Sequence, residues 1–196
     1  MKTLSILALI LICISCCNLQ KTIHGNHITE KALTKNRVAS KILRDFSQTY
    51  MVPPSGNSTC TKPIYPNYFG GQYINNCNKA VIYITDKKYK KKILERTGNN
   101  KVLIRTCKHS YNSLDSLMEQ LWNIIREDAI MQQRDSSSFS CMKHFKIHTF
   151  ILDEIHNRIN IYMDNHSRRN VKEFRQKILN SPGLHFPKQA SYFIKE

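Results

Sequence analysis

Residues 68–111 read YFGGQYINNCNKAVIYITDKKYKKKILERTGNNKVLIRTCKHSY, and every other assignment is built outward from them. Tyr73-Ile74 and the run Val81–Ile84 flank a polar, Asn-rich turn at Asn75–Lys79. Two apolar runs around such a turn predict a β-hairpin. Gly70 and Gly71 give the first strand backbone freedom, or room for close approach, where it begins. A lysine-rich helix is expected from about Lys87 to Thr97. Gly98-Asn99-Asn100 stops it, because Gly and Asn tolerate the left-handed conformation past a helix end. Val102–Cys107 then supplies a third strand and completes a ββαβ unit.

Downstream, Ser110 or Ser113 caps a long helix reaching about Met131, with Leu117, Leu121, Ile124 and Ile125 on its apolar face and Met118 and Trp122 broadening it. Gln132–Ser140 is polar and Ser-rich, the best internal boundary in the chain. The strand–turn–strand pattern then recurs over Phe150–Asp164. Ile151, Asp153, Ile159, Ile161 and Asp164 stand where Tyr73, Asn75, Val81, Tyr83 and Asp86 stood. Ser167 caps a helix carrying Val171, Phe174, Ile178 and Leu179; Asn180–Gly183 ends it, and Leu184–Phe186 forms a short last strand. Upstream, Val38, Ala39, Ile42, Leu43, Phe46 and Tyr50 mark an amphipathic helix over Thr34–Tyr50. Met51–Asn67, with four prolines, is an extended connector. The fold class is therefore α+β: two ββαβ lobes bridged by a long helix and preceded by an N-terminal helix. The expected division is a leader at 1–15, a tether at 16–29, helix and connector at 30–67, the first lobe with its bridging helix at 68–131, a linker at 132–147, and the second lobe with a tail at 148–196. Val81, Tyr83, Val102, Ile104, Leu121, Ile125, Ile159, Ile161, Phe174 and Ile178 are expected inside.

Phe69-Gly70-Gly71, Tyr73-Ile74, Ala80–Asp86, Val102–Arg105 and Ser110–Leu121 fall in the order and spacing of a known pattern. The stretch from about Tyr65 to Gly183 resembles the pro-region of the α-lytic-protease type of secreted serine protease. In that family the pro-region assists folding of the protease and stays bound as its inhibitor, by strand pairing and by a tail laid in the substrate cleft. Strand pairing of this kind takes affinity from main-chain hydrogen bonds and register from side-chain pockets. The 196 residues contain no protease domain, so the resemblance implies a non-catalytic module acting in trans on a protein partner, possible targets being secreted serine proteases. Arg158, Asn160 and Tyr162, with Tyr192, Phe193 and Ile194 of the tail, are the implied contact residues.

Met1-Lys2-Thr3 and the apolar run Leu4–Ile14 read as a signal peptide. The run ends in Ser15-Cys16-Cys17, similar to a bacterial lipoprotein signal. The expectation is export, with acylation of Cys16 (alternatively Cys17) holding the protein on a membrane of the cell envelope; simple secretion is the alternative. Cys60, Cys77, Cys107 and Cys141 then remain, either as a disulfide framework with three possible pairings or as reduced, buried thiols. The net charge of +16 favours acidic partners.

No nucleophile–base motif of a serine hydrolase is present, and no cofactor is implied. Cys141-x-x-His144-x-x-x-His148 has residue types that suit zinc, but His148 begins a strand and no fourth ligand is evident; no metal is expected. Asp153-Glu154 sits in a hairpin turn, where acids are common for turn reasons. The cluster Lys87-Lys88-Tyr89-Lys90-Lys91-Lys92 could bind phosphate and stack a base. On a helix, however, Tyr89 and Ile93 turn inward and leave a solvated lysine face. With export as well, nucleic acid is not expected as a partner. The remaining alternatives are a surface lipoprotein reusing the scaffold for a structural or adhesive role, and a basic binder of polyanions.

Overall fold

The computed structural model describes residues 30–52, 62–164 and 166–188. By contacts the chain divides into residues 1–34 and Lys35–Glu196, and the packing below belongs to the second unit. Cys16, Cys17, Cys60, Tyr192, Phe193 and Ile194 lie outside the described residues.

Helix α1 spans Glu30–Gln48. The hairpin forms as the sequence predicts, with β1 at Phe69–Ile74 antiparallel to β2 at Ala80–Ile84. Its turn is held locally: Asn75 Oδ1 accepts from the amides of Cys77 and Lys79, both at 3.0 Å, and Asn78 takes the left-handed conformation at φ 55°. A 3-10 turn, Lys87–Tyr89, is capped by the Asp86 carboxylate, which accepts from Lys88 N at 2.9 Å. Helix α2, Lys90–Thr97, stops at Gly98 with φ 58°. That crossover lets β3, Leu103–Thr106, return parallel to β2, a pairing that a tight turn cannot make.

Helix α3 follows at Tyr111–Arg134, its N-terminus capped by Ser110 Oγ accepting from Ser113 N at 3.1 Å. A short helix, α4, occupies Cys141–Phe145 inside the stretch read as linker. Then come β4 at Ile147–Asp153, β5 at Arg158–Met163, α5 at Arg168–Lys177 and β6 at Leu184–His185. Both sheets share one plan, β1-β2-β3 and β4-β5-β6, each an antiparallel hairpin plus one parallel strand after a helix. The class is α+β.

Each hairpin has a bulge near its open end, between Phe69 and Gly71 in one and between Ile147 and Thr149 in the other. Aligning the bulges keeps Ile151 with Tyr73 but places Ile159 with Ala80 and Ile161 with Ile82, one residue away from the sequence-based match. The cause is the second connection, which is one residue longer between equivalent pairs: residues 153–158 separate Leu152 from Ile159, where residues 75–79 separate Ile74 from Ala80. A one-residue slip exchanges the faces of a strand, which explains why Ile161 is buried while Tyr83 is only half-buried.

Two cores result. In the first, Ala39, Leu43, Phe46 and Tyr50 of α1 and its end cover Ile82, Ile84, Ile93 and Val102. Val38, expected on that face, is 51 % exposed. In the second, Leu114, Leu117 and Leu121 of α3 pack with Phe145, Phe150, Ile159, Ile161 and Phe174. Helix α3 thus lends its apolar face to the second core, while Tyr111 at its start packs against the first. Ile104, Ile125 and Ile178 are half-buried at the edges of these cores.

Gly70 marks the tightest approach. A Cβ there would sit 2.1 Å from Cys107 Sγ, 3.1 Å from Tyr83 Cβ and 3.2 Å from His109 O. Gly70→Ala is expected to cost about 3 kcal/mol, through overpacking against the Cys107 sulfur, which donates to His109 O at 3.2 Å. Removing the sulfur in Gly70→Ala/Cys107→Ala should recover part of the loss, a coupling a double-mutant cycle in urea would read. Strict additivity of the two changes would sink this account.

Candidate functional site

The two lobes meet where the β4–β5 turn enters the first sheet. Asn157 stands at φ 52° at the end of that turn and is 6 % exposed. Its Nδ2 donates to Gly70 O and His109 O, both at 2.9 Å, and its Oδ1 accepts from His109 N at 2.7 Å. Tyr83 Oη adds a bond to Ile155 O at 2.8 Å, with burial raising the phenol to about 12. The sequence showed a polar turn here; a turn asparagine is too common for its burial to be read in advance.

On the second lobe the expected contact residues Arg158, Asn160 and Tyr162 lie on β5, the middle strand of its sheet. Strand β4 pairs along the length of β5 and β6 pairs with its Ile159 and Asn160, so among the described residues the outer strands of this sheet are β4 and the two-residue β6. Asn160 itself is buried. It belongs to a polar chain in which its Nδ2 donates to Asp153 Oδ2 at 3.0 Å and its Oδ1 accepts from His185 Nδ1 at 3.0 Å. His156 Nδ1 lies 2.7 Å from the same Asp153 oxygen. Arg158 Nε is 3.4 Å from it, an ion pair whose N–H is not aimed at the oxygen. Burial alone would raise the Asp153 carboxyl, but hydrogen bonds from His156 and Asn160 hold it below its usual range.

Beside this chain, α5 and β6 enclose a hollow of about 800 Å³ bordered by His166, Arg168, Lys172, Arg175 and His185. Its apolar floor is Val171, Leu184 and Phe186. Arg175 is fixed by donating to Ser181 O at 2.7 Å and Leu184 O at 2.9 Å, with its guanidinium over Phe186. His166 Nε2 donates to Phe186 O at 2.6 Å.

Burial, then the charge of Arg158, lowers the His185 pKa; burial, then Lys108, lowers that of His109. A histidine with a depressed folded pKa stabilises the fold fully above its unfolded value and loses that contribution as pH falls through the folded one. The urea midpoint should therefore hold steady near pH 8 and begin to fall below about pH 6.5. Replacing both histidines with glutamine should flatten that decline. An unchanged slope would remove them as its source.

The other motifs disperse. Cys141 is buried in the second core, His144 Nε2 pairs with Glu173 at 3.1 Å, and His148 pairs with Asp164. Among the described residues no three His, Cys, Asp or Glu side chains gather into a metal-binding group. Cys77, Cys107 and Cys141 are unpaired thiols. Burial pushes Cys107 and Cys141 up to about 11, which leaves both poor nucleophiles at neutral pH. In the lysine cluster Ile93 is buried, but Tyr89 stays half-exposed and stacks on Tyr68 at 4.0 Å and 12°, with Lys88 and Lys92 over the two rings. That stack satisfies Tyr89 within the protein. Among the described residues no helix is long and apolar enough to cross a membrane.

Comparison with protein families fits this architecture. Residues 26–107 match the Pro-like N-terminal domain and residues 112–189 the Pro-like C-terminal domain. The boundary between the matches falls just before α3. The chain is thus a two-lobed scaffold that resembles a protease pro-region. No curated protein matches it.

Proposed function

We propose that this chain is a non-catalytic binding module that engages a secreted serine protease in trans, as inhibitor or folding assistant. The observation that carries the reading is the succession of both Pro-like domains, in order, over the two lobes. Outer strands at β4 and β6, unpaired on one side among the described residues, and the weakly nucleophilic Cys107 and Cys141 are consistent with that reading. The N-terminal Ser15-Cys16-Cys17 motif supports export and acylation at Cys16, which would hold the module on the cell envelope. The test is titration of the mature body, with and without residues 187–196, into the secreted serine proteases of its own source. Inhibition that weakens on truncation is the expected result. A body that folds but neither inhibits nor speeds refolding of any of these proteases would leave only a reused scaffold.

A further inference from the structure

The hollow between α5 and β6 has a volume of about 800 Å³, and none of the described residues fills it. Its composition is one-sided. Three permanent cations and two imidazoles line it, with no carboxylate among the described lining residues. The nearest acid on the same helix, Glu173, is engaged by Lys177 at 2.8 Å and by His144. Arg168 and Lys172 are exposed, whereas Arg175 is held in place by two carbonyls. Such an arrangement keeps positive potential over a patch of apolar surface. Desolvating that apolar surface favours binding, and the uncompensated cations select the sign of the ligand. A purely apolar ligand would strand the cations; a bare inorganic anion would leave Val171, Leu184 and Phe186 uncovered.

We propose that this hollow receives a partner-protein segment in which carboxylate and apolar side chains alternate. The proposal rests on the reading of the chain as a protein-binding module and names the chemistry of the bound segment. An extended segment suits the site, since its alternate side chains point to opposite sides. One row can reach the floor while the other meets Arg168 and Lys172 at the rim.

The experiment uses three fluorescein-labelled heptapeptides with the mature protein: ELEFELE, its amide counterpart QLQFQLQ, and the non-apolar ESESESE. Fluorescence anisotropy should show ELEFELE binding most tightly and weakening as salt rises. Arg168→Glu/Lys172→Glu should weaken it about tenfold or more. Because the whole protein is cationic, Lys87→Glu/Lys90→Glu serves as a control of equal charge change in the first lobe and should have little effect. Arg168→Gln/Lys172→Gln provides a milder variant, and melting curves confirm that each variant folds. Equal binding of ELEFELE and ESESESE, or equal losses from the two charge reversals, would overturn the proposal. So would binding of dodecanoate without binding of ELEFELE, which would reassign the hollow to a lipid carboxylate. If the peptides behave as expected but no protease is bound, the hollow stands and the protease reading falls. If a protease is inhibited regardless of Arg168 and Lys172, the reverse holds.

Discussion

Phe145→Ala is expected to destabilise the protein by about 3–5 kcal/mol, the range for removing a fully buried aromatic ring. The Phe145 ring is 0 % exposed and lies edge-on to Phe174 at 5.4 Å, which in turn meets Phe186 at 5.3 Å. Truncation would leave a void bounded by rigid elements, α4 on one side and the sheet and α5 on the other, so little collapse can offset the loss. Phe139→Ala is the control, since that ring is six residues away and 53 % exposed; it should change stability by less than about 0.5 kcal/mol. Urea denaturation gives both numbers. A loss below about 1 kcal/mol at Phe145 would mean that the segment lies outside the core.

That residue shows where sequence reading stops. The hairpins, the crossover helices and the long helix were legible because each carries its own period, and because Asn75, Asp86, Gly98, Ser110 and Ser167 punctuate them chemically. Helix α4 has five residues, too few for a period to show, and the Ser-rich run before it reads as solvent. Its start is fixed from a distance: Asp128 of α3 accepts from Ser140 Oγ at 2.9 Å and Cys141 N at 3.0 Å. No local pattern announces such a contact. The candidate site was legible only in part for a similar reason. Periodicity identified β5 as a strand, but strand order is tertiary, so its place in the middle of the sheet could not be seen. The hollow combines residues from two elements, and its one-sided charge appears only when α5 and β6 lie side by side.

Asn157→Ala is the second large effect, expected at about 3–4 kcal/mol. The change strands the His109 N–H, removes the side-chain donor to Gly70 O and leaves His109 O only the weaker Cys107 Sγ donor at 3.2 Å. It also forces a residue with a Cβ into a left-handed conformation without the local hydrogen bonding that asparagine offers. Asn157→Gly separates these costs, because glycine relieves the backbone and leaves only the lost bonds, so it should be milder by about 1 kcal/mol. Hydrogen exchange at the His109 amide should quicken in both variants. If Ala and Gly lose equally, the backbone share of the argument fails. If Ala loses less than about 1 kcal/mol, the turn does not hold the lobes together.

Asn157 has a counterpart. By strand register Asn78 holds the same place in the first hairpin, with φ 55° against 52°. The first turn, however, keeps its bonds to itself, through Asn75 Oδ1 and the Asn78 amide to Asn75 O at 2.9 Å, and exposes Cys77. Two lobes of one plan are thus joined like plug and socket. A symmetric pair would exchange both turns and use up both sockets; here one plug is spent and its equivalent is left facing outward. Contacts of that polarity do not close on themselves. The two turns of this molecule are therefore under opposite constraints. The second must keep its length and its asparagine, whereas the first is free to lengthen, take a label at Cys77, or accept an insertion without disturbing the joint.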